Sequence, residues 1–309
     1  TGQTWLATGN DLGGSLRTPA GFNGVAGLRP SPGVIPRGKR LQPFDTLWVE
    51  GPMGRSVADV ALMLDAGAGH VPTDPLSFET GAGLHVAALQ KACLPKRIAV
   101  SNDLGIVPVA KEITRVTEDV VKMLVNAGVD ITDDIPDFTG VLDAFHTLRA
   151  VLLGTMMGEF LETHRDSINE DIIWNIERGF KVTPEELFQA ERLRWDLAQR
   201  MAIFFETHDL LLCPSASIPP FPVEQRFVTE IDGKQCKTYI DWFAITFAIT
   251  MTSCPVFSIP CGFSAEALPV GLQVVGKPRG EIALLQAAQQ LEQIFAVAEN
   301  LPIDPRKGN

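Results

Sequence analysis

The 309-residue sequence has a single tyrosine, only five cysteines and no apolar run of membrane-spanning length. Its longer apolar stretches, such as residues 243–251, are broken by threonines (here Thr246 and Thr250), whereas a spanning helix needs about 20 residues. The cysteines (Cys93, Cys213, Cys236, Cys254, Cys261) include no Cys-x-x-Cys pair, and none of the five histidines falls at a zinc-finger spacing. A metal site is therefore not expected, and reduced, buried thiols of a cytoplasmic protein are. Aromatic residues at 7% single out neither a carbohydrate nor an aryl ligand. Positive charge is scarce: 26 Lys+Arg against 37 Asp+Glu leave −11, which argues against nucleic acid or an anionic membrane as partner. No dinucleotide fingerprint or Walker loop occurs.

What is present is ordinary globular material, 45% apolar and 20% charged, enough to build a large core without staples. The acidity is uneven. Residues 1–60 hold six basic and four acidic residues, so the excess of acid lies entirely beyond them. Residues 1–55 are dense in glycine and proline and are expected to be loops and turns. Ser56 is placed to cap a helix to about residue 65, with Asp59 at its third position. Residues 66–96 look irregular. A strand at 97–101, a helix at 109–127 with apolar spacing from Val109 through Ile113, Val116 and Val120, and a strand at 129–132 make a βαβ unit. Residues 139–207 are mostly helical, with a capping box at Thr183-Pro184-Glu185-Glu186. Further strands are expected at 209–213, 255–260 and 270–275, a hairpin around Asp232-Gly233, and a closing helix at 281–298. One α/β domain over 1–309 is the expected organisation.

The segment that carries chemistry is residues 9–36, GNDLGGSLRTPAGFNGVAGLRPSPGVIP. Leu12-Gly13-Gly14-Ser15 sets two residues without side chains before a hydroxyl. Glycine allows a sharp turn and close approach to the peptide N–H groups. Successive N–H groups in such a turn make an anion site, and a serine beside it is what acyl transfer requires. Asp11 and Arg17 flank the serine and are placed to pair across the loop, and Thr18-Pro19 reads as a helix cap. A Gly-Gly-Ser run alone is commonly just a tight turn. It is also not the Gly-x-Ser-x-Gly elbow, because Arg17 stands where the second glycine belongs.

The whole stretch resembles the amidase signature family. The Asp-x-Gly-Gly-Ser-x-Arg core and the Gly-Val-x-Gly-x-x-Pro run stand at Asp11 to Pro30, and the similarity continues through Gly51-Pro52-Met53 to Leu268-Pro269-Val270-Gly271-Leu272-Gln273. The resemblance implies the amidase-signature fold, a mixed central β-sheet covered by helices on both faces. It also implies cleavage of a carboxylic amide through a Ser–cis-Ser–Lys triad. Ser15 would be the nucleophile, the N–H groups of Leu12, Gly13, Gly14 and Ser15 the oxyanion hole, and Asp11 and Arg17 its supports. No metal or organic cofactor is implied. The partner is a small-molecule amide, with neither nucleic acid nor membrane, and a homo-oligomer is left open.

One departure stands out. The family places its lysine and bridging serine upstream of the nucleophile, but residues 1–14 contain neither. The expectation is a C-terminal portion of an amidase with the N-terminal part missing. Lys39 is a poor substitute base, because a flexible, exposed lysine keeps its charge. An ammonia-releasing subunit of a glutamine-dependent amidotransferase and an inactive truncated chain are the alternatives. The stretch QPFDTLWVEG (42–51) sides with free-standing amidases. Met156, Met157, Phe160, Trp174 and Phe180 either line the substrate site or, the reading burial preferences favour, fill the core. No histidine is assigned a role.

Overall fold

The computed structural model describes residues 4–297. Eight strands form one mixed sheet: β1 (Leu6–Asp11), β2 (Ala26–Arg29), β3 (Val49–Gly54), β4 (Arg97–Val100), β5 (Asp130–Thr132), β6 (Leu210–Pro214), β9 (Val256–Phe263) and β10 (Pro269–Val275). Their spatial order is β1-β3-β2-β9-β10-β6-β4-β5. The first six in that order pair antiparallel, whereas β6, β4 and β5 run parallel. Strands β7 (Glu230–Ile231) and β8 (Lys234–Gln235) form a separate short hairpin.

Period-two alternation sends side chains to two cores. In β6, Leu210 and Leu212 enter one cluster with α2 (Val57–Gly67), α4 (Lys111–Asn126) and α9 (Glu281–Phe295). Leu211 and Cys213 enter the other, with α5 (Val141–His164), α7 (Pro184–Phe204) and α8 (Ala244–Thr250). Helices thus cover both faces, as the resemblance implies. The βαβ unit is β4–α4–β5, and α4 buries Ile113, Val116, Val120 and Leu124 on one side. Both capping boxes form, Ser56 with Asp59 and Thr183 with Glu186.

Several expectations need correction. The glycine-rich stretch 1–55 is not loop throughout but holds β1, α1 (Thr18–Asn23), β2 and β3. Glycine serves there for close packing: a Cβ at Gly27 would lie 2.9 Å from Ala20 Cβ. Thr18 is the first helical residue rather than a cap, and its hydroxyl donates to the Ser215 carbonyl (3.0 Å). Residues 66–96 contain α3 (Leu84–Leu89). The hairpin strands are two residues each, and the closing helix ends at Phe295, its expected end at 298 lying outside the described residues. Cys213, Cys254 and Cys261 are buried, but Cys93 is exposed and Cys236 half-buried. Phe160, Trp174 and Phe180, on α5 and α6 (Glu170–Lys181), are 51%, 47% and 64% exposed, so they do not fill the core.

At the α2 N-terminus, Val57 N–H donates to Glu292 on α9 (2.8 Å). Burial pushes the Glu292 carboxyl up to about 7, with Asp59 adding repulsion and the Val57 hydrogen bond opposing both. The unfolded chain gives up that proton near 4.5, so the folded state binds more protons between those values. Stability should therefore fall as pH rises from about 4.5 through about 7. Glu292→Gln, measured by urea midpoints at pH 5 and pH 8, is expected to remove about 1–3 kcal/mol of that loss.

Candidate active site

The chain leaves β1 at Asp11 and turns through Leu12, Gly13 and Gly14 into α1. Gly14 has φ +133°, and its carbonyl accepts the N–H groups of Arg17 and Thr18 (2.8 Å each), which joins the turn to the first helical residues. The Gly13 carbonyl is held by the Thr246 hydroxyl of α8 (2.7 Å). Ser15 lies at the exposed tip of this turn, while Leu16, Arg17 and Asp11 beside it are fully buried.

Beneath the turn, Asp11 is the hub of a buried ionic cluster. Its carboxylate accepts Arg17 Nε and Nη2 (2.9 Å each), Arg29 Nη1 (3.1 Å), Gly14 N (2.9 Å) and Leu16 N (3.2 Å). The bidentate Arg17 fork completes its five donors on the Thr246 carbonyl (2.6 Å), Gln273 Oε1 (2.7 Å) and Thr250 Oγ1 (2.7 Å). Arg29 also donates to the Asp11 and Leu47 carbonyls (2.6 and 2.9 Å). Burial alone would raise the Asp11 pKa, but Arg17 and Arg29 outweigh it and hold the group at about 2. Burial draws Arg29 down to about 10 against the pull of Asp11.

The expected Asp11–Arg17 pair is thus present. Arg29, Thr246 and Thr250 are partners that sequence reasoning missed; Gln273, the third long-range partner, stands out in the sequence only as the end of the Leu268–Gln273 motif. Of the four N–H groups expected in an oxyanion hole, the one on Gly14 is already given to Asp11 Oδ1. Those of Leu12, Gly13 and Ser15 have no acceptor among the described residues, and neither does the Ser15 hydroxyl. Lys39 is exposed. Three histidines do have acidic partners, His70 with Glu79 (3.9 Å), His85 with Asp65 (2.7 Å) and His146 with Asp241 (3.4 Å). Among the described residues no helix is long and apolar enough to cross a membrane.

The fold and this turn define an α/β protein with an exposed serine on a glycine turn clamped to the sheet by buried charge. Its family follows from comparison: the family model "Amidase" matches residues 1–285, and the chain belongs to the amidase family. It is similar to an acylamidase of Rhodococcus erythropolis, 29% identical over 304 residues, covering 97% of this chain and 63% of that protein. It is also similar to a glutamyl-tRNA(Gln) amidotransferase subunit of Thermodesulfovibrio yellowstonii, 26% identical, covering 93% and 63%. Among solved structures, a bacterial aryl acylamidase of the amidase signature family superposes with TM-score 0.86 at 22% identity, covering 98% of this chain and 65% of that one. A 6-aminohexanoate cyclic dimer hydrolase superposes with TM-score 0.82 at 24% identity, covering 96% and 66%. The chain spans 63% of the length of these two curated relatives.

Proposed function

We propose that this chain carries the nucleophile and oxyanion donors of a cytoplasmic enzyme that hydrolyses the C–N bond of a carboxylic amide. Ser15 Oγ attacks the amide carbonyl carbon, and the negative charge that develops on the carbonyl oxygen is taken up by main-chain N–H groups of Leu12, Gly13 and Ser15. The C–N bond then breaks, the amine leaves with a proton, and water releases the acid from the Ser15 ester. Asp11 and Arg17 do not touch the substrate in this scheme; they fix the turn. The observation that carries the reading is the exposed Ser15 on a turn held by Asp11 and Thr246, with the N–H groups of Leu12, Gly13 and Ser15 lacking an acceptor among the described residues.

The Gly14 N–H, engaged by Asp11, is left out of the oxyanion hole. The proton acceptor is the Lys–bridging Ser pair that the family places ahead of the nucleophile, which residues 1–14 do not contain. Such a lysine works as a base only where burial lowers its pKa.

The test uses the longest polypeptide its reading frame encodes, with and without Ser15→Ala, on primary amides, anilides and glutamine. The variant is expected to lose at least about 10³-fold in kcat/KM and to lose fluorophosphonate labelling of the Ser15 peptide. Unchanged labelling in Ser15→Ala would refute the assignment. A second reading, an ammonia-releasing component of an amidotransferase, draws on the similarity to the Thermodesulfovibrio yellowstonii protein. Strict dependence on glutamine together with co-purification of a partner would favour it.

A further inference from the structure

Neither Gly13 nor Gly14 resists rotation of the peptide that joins them, because neither has a Cβ and glycine reaches both signs of φ. What holds that peptide comes from side chains around it. Its carbonyl, on Gly13, accepts the Thr246 hydroxyl (2.7 Å), and its N–H, on Gly14, is given to Asp11 Oδ1 (2.9 Å). The two holds belong to one closed circuit. Asp11 Oδ1 also accepts Arg17 Nη2 (2.9 Å), Arg17 Nη1 donates to the Thr246 carbonyl (2.6 Å), and the Thr246 hydroxyl leads back to Gly13. Thr246 enters this circuit twice and is its one member from outside residues 11–17. Its helix gives it a firm seat: all seven residues of α8 are buried, and Phe247 stacks on Phe145 of α5 with centroids 4.3 Å apart and planes at 7°.

A helical threonine commonly turns its hydroxyl to a carbonyl three or four residues back, and the Phe243 carbonyl lies at 2.7 Å. The hydroxyl has one proton to share between the two carbonyls. The Gly13 carbonyl has no other donor among the described residues, so Thr246 alone ties it down. The next peptide is held separately, since the Gly14 carbonyl accepts the N–H groups of Arg17 and Thr18 and needs nothing from α8. Rotation of the Gly13–Gly14 peptide changes ψ at Gly13 and φ at Gly14, and so displaces the N–H groups of Gly13 and Ser15 on either side of it. We infer that Thr246 is a positioning residue of the proposed reaction: without touching the substrate, its hydroxyl fixes the Gly13–Gly14 peptide and thereby the direction in which Gly13 and Ser15 present their N–H groups. This rests on the hydrolytic reading above. Donors displaced in this way stabilise the transition state less and leave ground-state binding as it was.

The test uses the longest polypeptide the reading frame encodes and an alkyl fluorophosphonate. In that reaction the Ser15 Oγ–P bond forms, the P–F bond breaks, fluoride leaves and the serine proton passes to the base, while charge builds on the phosphoryl oxygen beside the same donors. Thr246→Val keeps the branched shape and removes the hydroxyl. It is expected to lower the maximal labelling rate about 30-fold or more, with the half-saturating concentration unchanged within about twofold. Thr246→Ser, which keeps the hydroxyl, should stay within about threefold of the parent. A Thr246→Val rate within about threefold of the parent, a loss carried by the half-saturating concentration instead, or a Thr246→Ser as slow as Thr246→Val overturns the role. Amide hydrogen exchange at Gly14, read in Ser15→Ala, reports the same peptide without any reaction. Adding Thr246→Val should speed it at least about tenfold beyond what the change in urea midpoint accounts for, and unchanged exchange overturns the inference. Labelling that persists in Ser15→Ala would sink the reaction instead, and the Gly14 exchange would then decide by itself whether Thr246 holds the turn.

Discussion

Asp11→Asn is expected to lower the unfolding free energy by about 3–5 kcal/mol, read from urea midpoints near pH 7. One carboxylate faces two fully buried guanidinium groups in the native protein. Taking away its charge leaves both cations without compensation where water cannot reach them. The amide that replaces it also turns one acceptor oxygen into a donor aimed at an arginine. Arg29→Met should cost less, because the Asp11–Arg17 pair that remains is neutral. The native protein should show the same cluster in its acid limb. Asp11 titrates at about 2 when folded and near 3.8 when unfolded, so its contribution is complete above 3.8 and is lost as pH falls from there to about 2. That loss should be absent from Asp11→Asn, and equal acid sensitivity in the two proteins would show that the cluster does not carry the stability ascribed to it.

Elements whose own residues bear the periodicity were legible in the sequence. The α4 stripe and the unbroken apolar run of β6 each meet a core directly, and Ser56 and Thr183 announce their helices by local chemistry. The strands β1, β2 and β3 were not. Strand β1 lies at the sheet edge with only Asp11 fully buried, so no alternating apolar pattern marks it. Strand β2 is four residues long and buried throughout, too short to show a period. Their pairing, with β1 aligned to β3 from Leu6↔Gly54 to Asp11↔Val49, is a tertiary fact that composition hides behind glycine and proline.

The site divides in the same way. Asp11 and Arg17 sit six residues apart on one loop, and their pairing could be read from that spacing. The groups that complete Arg17 lie 229, 233 and 256 residues away, at Thr246, Thr250 and Gln273. Only Gln273 had a signal, as the end of the Leu268–Gln273 motif. Burial preference favours the core for the apolar residues at 156–180, yet Trp174 ends as one wall of a cavity. A large side chain that is half-exposed beside a void cannot be told from a core residue by spacing alone.

The two adjacent glycines of the turn should respond unequally to the same added methyl group, with Gly14→Ala expected to cost about 3 kcal/mol or more and Gly13→Ala about 1 kcal/mol. Gly14 stands at φ +133°, a conformation that side chains rarely adopt, whereas Gly13 is not in the positive-φ region. A Cβ at Gly14 would also lie 2.7 Å from Thr246 Cβ. Thr246 cannot retreat, because its hydroxyl holds the Gly13 carbonyl and its own carbonyl accepts Arg17 Nη1. Relief at Gly14 would therefore have to come from the turn itself, displacing the N–H groups of Gly13 and Ser15. At Gly13 the nearest atoms are ring carbons of Phe145 and Phe243 at 3.3 and 3.4 Å, which a small tilt can clear. Gly14→Ala should accordingly lose stability and, in the proposed reaction, amide hydrolysis. Gly13→Ala should keep its fold and lose activity only as far as the turn shifts. Equal unfolding midpoints for the two variants would mean that the turn is not held between Asp11 and Thr246 in the way the hydrogen bonds indicate.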